Sequence, residues 1–178
     1  MANLGQVNSS MIANFDLVGL HMTKCGISYI SPDAFKTLTN IRDISLSGNS
    51  LKSIPPKLFA NSKMIRTIDL SNNEISSLDT NMFQGLEYLN VLDISGNRLA
   101  IFPENLPRAL TSLNLENNLI NQIRNGVKLS NLEHLNLCQN NMTRVFDFIT
   151  TFGFKLHKLC LDDEMVRSIR TGNFSSLV

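Results

Sequence analysis

Leu89-Asn90-Val91-Leu92-Asp93-Ile94-Ser95-Gly96-Asn97-Arg98-Leu99 decides the fold. Aliphatic residues hold the first, fourth, sixth and eleventh places of this stretch, and an asparagine holds the ninth. The same order recurs along the 178 residues, with the ninth place at Cys25, Asn49, Asn73, Asn97, Asn118, Asn140 and Glu164. The steps between those positions are 24, 24, 24, 21, 22 and 24 residues. A fixed period of this size marks an array of stacked coils. One coil cannot bury its apolar side alone, so it must stack on copies of itself.

Within each unit the residues before the asparagine alternate, as a short strand with one buried face should. Ile44 and Leu46 are expected to point inward, and Asp43, Ser45 and Ser47 outward; Ile68 and Leu70 split in the same way from Thr67, Asp69 and Ser71. Stacked at about 4.8 Å, the strands would form one parallel sheet and a solenoid roughly 30 Å long. The asparagine has a physical task. The chain must bend inward after the strand, and a carboxamide can both donate to and accept from the backbone left unpaired there. Cys25 fits the place as a small weak donor, whereas an ionised Glu164 only accepts, so the ladder is expected to falter at both ends.

The return arms repeat as well. Ile30, Phe35 and Leu38 match Leu78, Phe83 and Leu86, with Ile54 and Phe59 between them. The phenylalanines are expected to stack behind the leucines, and Pro32, Pro55 and Pro56 to keep the arm extended. The fourth unit departs from this: Phe102-Pro103-Glu104-Asn105-Leu106-Pro107 runs directly into Leu110. Phe146, Phe148, Phe152 and Phe154 are expected to fill the convex side of the sixth unit, near Arg144, Lys155, Lys158, Arg167 and Arg170.

Charge excludes some roles. A formal net charge of +1 gives no overall pull toward nucleic acid or membrane. No apolar run approaches a membrane span. Met1 to Ser10 lacks the basic-then-apolar order of a secretion signal, which leaves a cytoplasmic location open.

The phrases Cys25-Gly26-Ile27-Ser28-Tyr29-Ile30-Ser31-Pro32-Asp33-Ala34-Phe35 and Ile44-Ser45-Leu46-Ser47-Gly48-Asn49-Ser50-Leu51-Lys52-Ser53-Ile54-Pro55 resemble the leucine-rich repeat superfamily. The resemblance is to its typical extracellular class, including Toll-like receptor ectodomains and invertebrate immune proteins. It implies an α/β repeat: a right-handed solenoid, or horseshoe, with a concave parallel sheet and a mostly irregular convex side. Residues 17–178 would form seven repeats, the last incomplete, behind an N-terminal extension or atypical cap over residues 1–16. Met11, Ile12 and Phe15 could then cover the first leucine layer. The cysteine-rich caps usual in such proteins do not occur in the sequence, so the chain reads as a piece of a longer array.

The implied function is protein recognition, with no enzymatic role and no cofactor. The ligand or co-receptor would sit on the concave face of a cell-surface or secreted immune-type receptor, with homo- or heterodimerisation left open. An extracellular matrix organiser and an intracellular scaffold are the alternatives. Candidate contacts on outward strand positions are His21, Asp43, Asp69, Asp93, Asn114, Glu116, Asn136 and Asp162. Their carboxylates, on one sheet, would form an acidic stripe suited to a basic partner. Sequons at Asn8, Asn141 and Asn173 could carry glycans in the secretory route. His21, His134 and His157 read as solvated surface residues rather than a metal site, with Lys158 aligned beside His134. No nucleophile–histidine–acid arrangement and no glycine-rich phosphate loop is present in the sequence. Cys138 and Cys160 fall on adjacent strands, offset diagonally by two residues. A Cα separation of about 7–8 Å would follow, too long for a relaxed disulfide, so free thiols are expected.

Overall fold

The computed structural model describes residues 4–12, 15–123, 129–142, 155–163 and 166–167. The expectations for Glu164, Asn173, Arg144, Arg170 and the phenylalanines at 146, 148, 152 and 154 fall outside those residues. Nine short strands follow in order: β1 (Gly5–Val7), β2 (Gly19–His21), β3 (Ile27–Ile30), β4 (Asp43–Ser45), β5 (Thr67–Asp69), β6 (Val91–Asp93), β7 (Ser112–Asn114), β8 (His134–Asn136) and β9 (Lys158–Cys160). Seven of them form one parallel sheet in the order β2-β4-β5-β6-β7-β8-β9. The register is unbroken, and its central row is Leu20, Ile44, Ile68, Leu92, Leu113, Leu135 and Leu159. This is the parallel-sheet solenoid that the repeat predicts.

Each strand is brief because the chain must turn inward at once. The residue just before the ladder position has a left-handed backbone in every described coil: Lys24, Gly48, Asn72, Gly96, Asn117 and Gln139 have φ between 53° and 70°. Glycine and asparagine tolerate that region best. At Gly96 a Cβ would also meet Asn72 Oδ1 at 2.7 Å.

The carboxamides then act between coils. Asn97 Oδ1 accepts from Ile75 N of the preceding coil at 3.0 Å, while Nδ2 donates to Leu70 O at 3.0 Å and to its own coil's Ile94 O at 3.1 Å. Asn73 and Asn118 repeat the pattern toward Leu51 N and Leu99 N. Asn49 accepts from both Cys25 N and Ile27 N. Asn140 accepts from Ile120 N and donates to Leu115 O and Leu137 O. Cys25 makes one longer contact, its thiol donating to Thr23 O at 3.4 Å.

Behind the ladder lies one continuous core. Leu46, Leu70, Ile94, Leu115 and Leu137 are fully buried, as are Leu51, Ile75 and Ile120. On the return arms, Phe35 and Phe59 pack with ring centroids 6.2 Å apart. Phe83 and Phe102 are buried as well. Of the phenylalanines expected to stack, Phe35, Phe59 and Phe83, a ring-to-ring contact joins the first two. Ser62 occupies the core row of Leu38 and Leu86, and its buried hydroxyl has no partner.

Residues 4–12 continue the coil geometry. β1 pairs in parallel with β3, and Val7 and Ile12 enter the core. Met11 and Phe15 stay exposed, at 41% and 59%, so of the three residues expected over the first leucine layer only Ile12 is buried. Ser9 Oγ donates to Asp33 Oδ2 at 3.1 Å, tying this segment to the first coil. The Ser31 hydroxyl, followed by Ser9, holds the Asp33 carboxyl below the ordinary carboxylate range.

One sequence expectation is overturned: Cys138 and Cys160 form a disulfide with a Cα separation of 5.4 Å. The diagonal offset is as expected, since Cys160 pairs with Asn136. The flat-ladder distance is not, because the chain leaves the strand at Asn136. Asn136 Oδ1 accepts from Cys138 N at 3.1 Å and draws the chain into a turn, while Leu137 N still donates to Cys160 O at 3.1 Å.

Two stability predictions follow from these turns and this cross-link. Gly96→Val and Gly96→Asn both bring a Cβ against Asn72 Oδ1, but Gly96→Val should cost at least about 1 kcal/mol more, because a β-branched residue resists positive φ and asparagine tolerates it. Equilibrium denaturation checks both, and equal costs would refute the left-handed requirement. Cys138→Ser with Cys160→Ser should lower stability by about 3 kcal/mol, the loop-closure value for a sequence separation of 22. The same denaturation experiment checks this.

Candidate functional site

Three outward columns cross the sheet. The first runs Gly19, Asp43, Thr67, Val91, Ser112, His134 and Lys158. The second runs His21, Ser45, Asp69, Asp93, Asn114, Asn136 and Cys160. The third lies where the strands begin to turn and includes Ser47, Ser71, Ser95, Glu116 and Cys138, whose carbonyls accept from the preceding coil. Asp162 continues that edge: its carboxylate accepts from Gln139 N at 2.8 Å and Asn140 N at 3.1 Å.

The second column has a repeated local chemistry. Asp69, Asp93, Asn114 and Asn136 each accept, through Oδ1, the backbone N–H two residues later: Ser71, Ser95, Glu116 and Cys138. That N–H points out of the ladder as the strand ends, and a short acceptor side chain closes on it as an Asx turn. The signal is visible in the sequence as Asp or Asn directly after the inward Ile or Leu of each central strand and two residues before the N–H it accepts.

These residues also reach sideways. Ser45 Oγ donates to Asp69 Oδ2 at 2.8 Å, and Thr23 and Ser45 share a bond at 3.2 Å. Ser47 and Ser71 share one at 2.8 Å. Asn114 Nδ2 donates to Asp93 Oδ2 at 3.0 Å, and Asn136 Nδ2 donates to Glu116 Oε2 at 3.0 Å. Ser45 and Ser71 face outward but are buried by this network, at 8% and 7% exposure.

The acids do not stack into a single stripe. They drift diagonally, from Asp43 in the first column, through Asp69 and Asp93 in the second, to Glu116 and Asp162 at the third. Only Asp69 and Asp93 are direct neighbours in register. Their carboxylates are half-buried and already accept hydrogen bonds, so they present less free charge than the sequence suggested. His21 is exposed on the outermost strand, and its ring lies over Gly19. Asn8 and Asn141 are exposed, with Asn8 Oδ1 capping the turn at Ser10 N.

Among the described residues, no group of three or more His, Cys, Asp or Glu is placed to hold a metal ion. No helix among them is long and apolar enough to cross a membrane.

The leucine rich repeat family pattern matches residues 16–75 and 40–99. Among curated proteins, none matches the chain significantly by sequence. Solved structures share the architecture. A TLR13–ssRNA13 complex superposes with a TM-score of 0.79 at 23% identity, over 91% of this chain and 24% of that one. An LRIM1/APL1C complex gives 0.73 at 24% identity, over 80% and 27%. The leucine-rich repeat domain of APL1B gives 0.69 at 21% identity, over 91% and 53%. The chain thus spans about a quarter to a half of the length of these relatives. The repeat period, the asparagine ladder and these likenesses converge: this chain has the fold of a leucine-rich repeat solenoid.

Proposed function

We propose that the chain is a non-enzymatic recognition module that binds a protein ligand or co-receptor through its concave sheet, as part of a cell-surface or secreted, immune-type protein. The observation that carries this reading is the hydrogen-bonded polar face of the seven-stranded sheet, which no other described element covers. A surface held in place before contact loses little freedom on binding.

One feature favours the extracellular setting: the Cys138–Cys160 disulfide suits an oxidising compartment and counts against an intracellular scaffold. A neighbour solved as an LRIM1/APL1C complex is in keeping with a protein partner. The neighbour solved with single-stranded RNA is a weaker guide, because phosphates need cations. Here they would meet Asp69, Asp93 and Glu116 at the centre of the face.

Thr67 supplies a clean test, since its outward side chain makes no hydrogen bond among those described. Thr67→Trp should abolish binding of a ligand found by screening recombinant extracellular proteins, while Lys57→Trp on a return arm should leave it intact. Asp69→Asn preserves the Asx acceptor and removes a charge, and the Ser45 hydroxyl can turn to accept from the new Nδ2. It should weaken binding about two- to fivefold with little change in melting. A ligand indifferent to Thr67→Trp would rule out the concave face. Affinities from surface plasmon resonance, alongside melting curves, supply both readouts.

A further inference from the structure

Where the acids drift toward the third column, the first column changes sign. His134 and Lys158 stand side by side in register on β8 and β9, with His157 just before them. Together with Ser112, Asn136 and Cys160 they line an open cleft of about 660 Å³ on the concave face. That volume suits a short peptide stretch rather than a lone ion.

The three basic side chains are unspent. None of them makes a hydrogen bond or ion pair among the described residues, and His134 Nδ1 is buried with no partner. A buried ring nitrogen without a partner is uncommon and calls for a physical account. Here the account is the tautomer: a buried Nδ1 without an acceptor is best left unprotonated, so the proton sits on Nε2, the ring nitrogen that is not buried and can donate to an incoming acceptor. Lys158 adds a compact, mobile charge beside it. The disulfide at Cys160 and the Asp162 contacts hold β9 against β8, and so keep the two columns in register.

The geometry points to a carboxylate-binding subsite: His134, His157 and Lys158 receive a Glu or Asp side chain of an acidic peptide segment in a protein partner. This rests on the concave face being the recognition surface, and it names the chemistry recognised at one end. The neighbouring acids select the ligand. Glu116, which accepts from the cleft-lining Asn136 Nδ2, sets a negative charge beside the cleft that disfavours densely charged phosphate more than a single carboxylate. Asp93, two strands away from His134 at about 10 Å, would favour a basic residue further along the same partner segment.

The test is an NMR titration of the full chain, following the His134 and His157 ring signals. The probes are an acetylated, amidated Ser-Glu-Ser-Glu-Ser peptide, its Gln counterpart and inorganic phosphate. Saturable shifts at both rings with the Glu peptide alone are expected. Lys158→Gln should weaken that binding about two- to fivefold, and His134→Gln should weaken it similarly without lowering the melting temperature. Three results would overturn the assignment: equal shifts from the Gln peptide, phosphate binding at the same rings as tightly as the Glu peptide, or affinity unchanged by both substitutions. If Thr67→Trp still blocks a full ligand while the peptide fails, the concave reading stands and only the carboxylate subsite falls.

Discussion

Each inward bend of a coil leaves backbone groups facing an interior that water does not reach. A carboxamide meets them because it carries an acceptor and two donors on one short, planar end. Asn49, Asn73, Asn97, Asn118 and Asn140 all bond to the coil before them as well as to their own. The core leucines supply most of the burial, but they are interchangeable along the stack and set no register by themselves. The asparagines do set it, and the in-register sheet above them follows. Every property of the concave face, from its column order to its hydrogen-bonded surface, depends on that alignment.

The concave face serves two purposes with one set of residues. Asp69, Asp93, Asn114 and Asn136 close the turn N–H groups and at the same time link neighbouring strands. Surface polarity is therefore partly structural. What remains free for a ligand lies where that network is thin: at the exposed end with His21, and at the far end with His134, His157 and Lys158. The ladder also changes character there. The Asp162 carboxylate accepts from Gln139 N, where earlier coils offer a main-chain carbonyl, and a disulfide adds a cross-link beside the main-chain bond from Leu137 N to Cys160 O.

Much of the fold was legible because the repeat is strict. The aliphatic positions, the Asn49 to Asn140 series and the parallel sheet all follow from spacing and hydrogen-bonding capacity. The candidate site was harder to read. Strand positions assign a residue to the outer face, and the offset from the ladder asparagine sets its column: Asp43 lies six residues before Asn49, Asp69 and Asp93 four before Asn73 and Asn97, and Glu116 two before Asn118, so the drift lay in those offsets. The disulfide was missed because a flat ladder was assumed where Asn136 turns the chain. Ser62 illustrates another limit. A serine in a leucine row reads as surface, and only packing reveals that its hydroxyl is buried without a partner.

The most direct measurement of the central claim is equilibrium unfolding of Asn97→Ala. The substitution strands the Ile75 N–H in the middle of the stack and takes one of two amide donors from each of the Leu70 and Ile94 carbonyls, which keep Asn73 and Asn118. Stability should fall by about 2 kcal/mol or more, from one stranded donor and two lost bonds. A loss under about 0.5 kcal/mol would mean that leucine packing alone aligns the coils, and that the amide ladder is incidental.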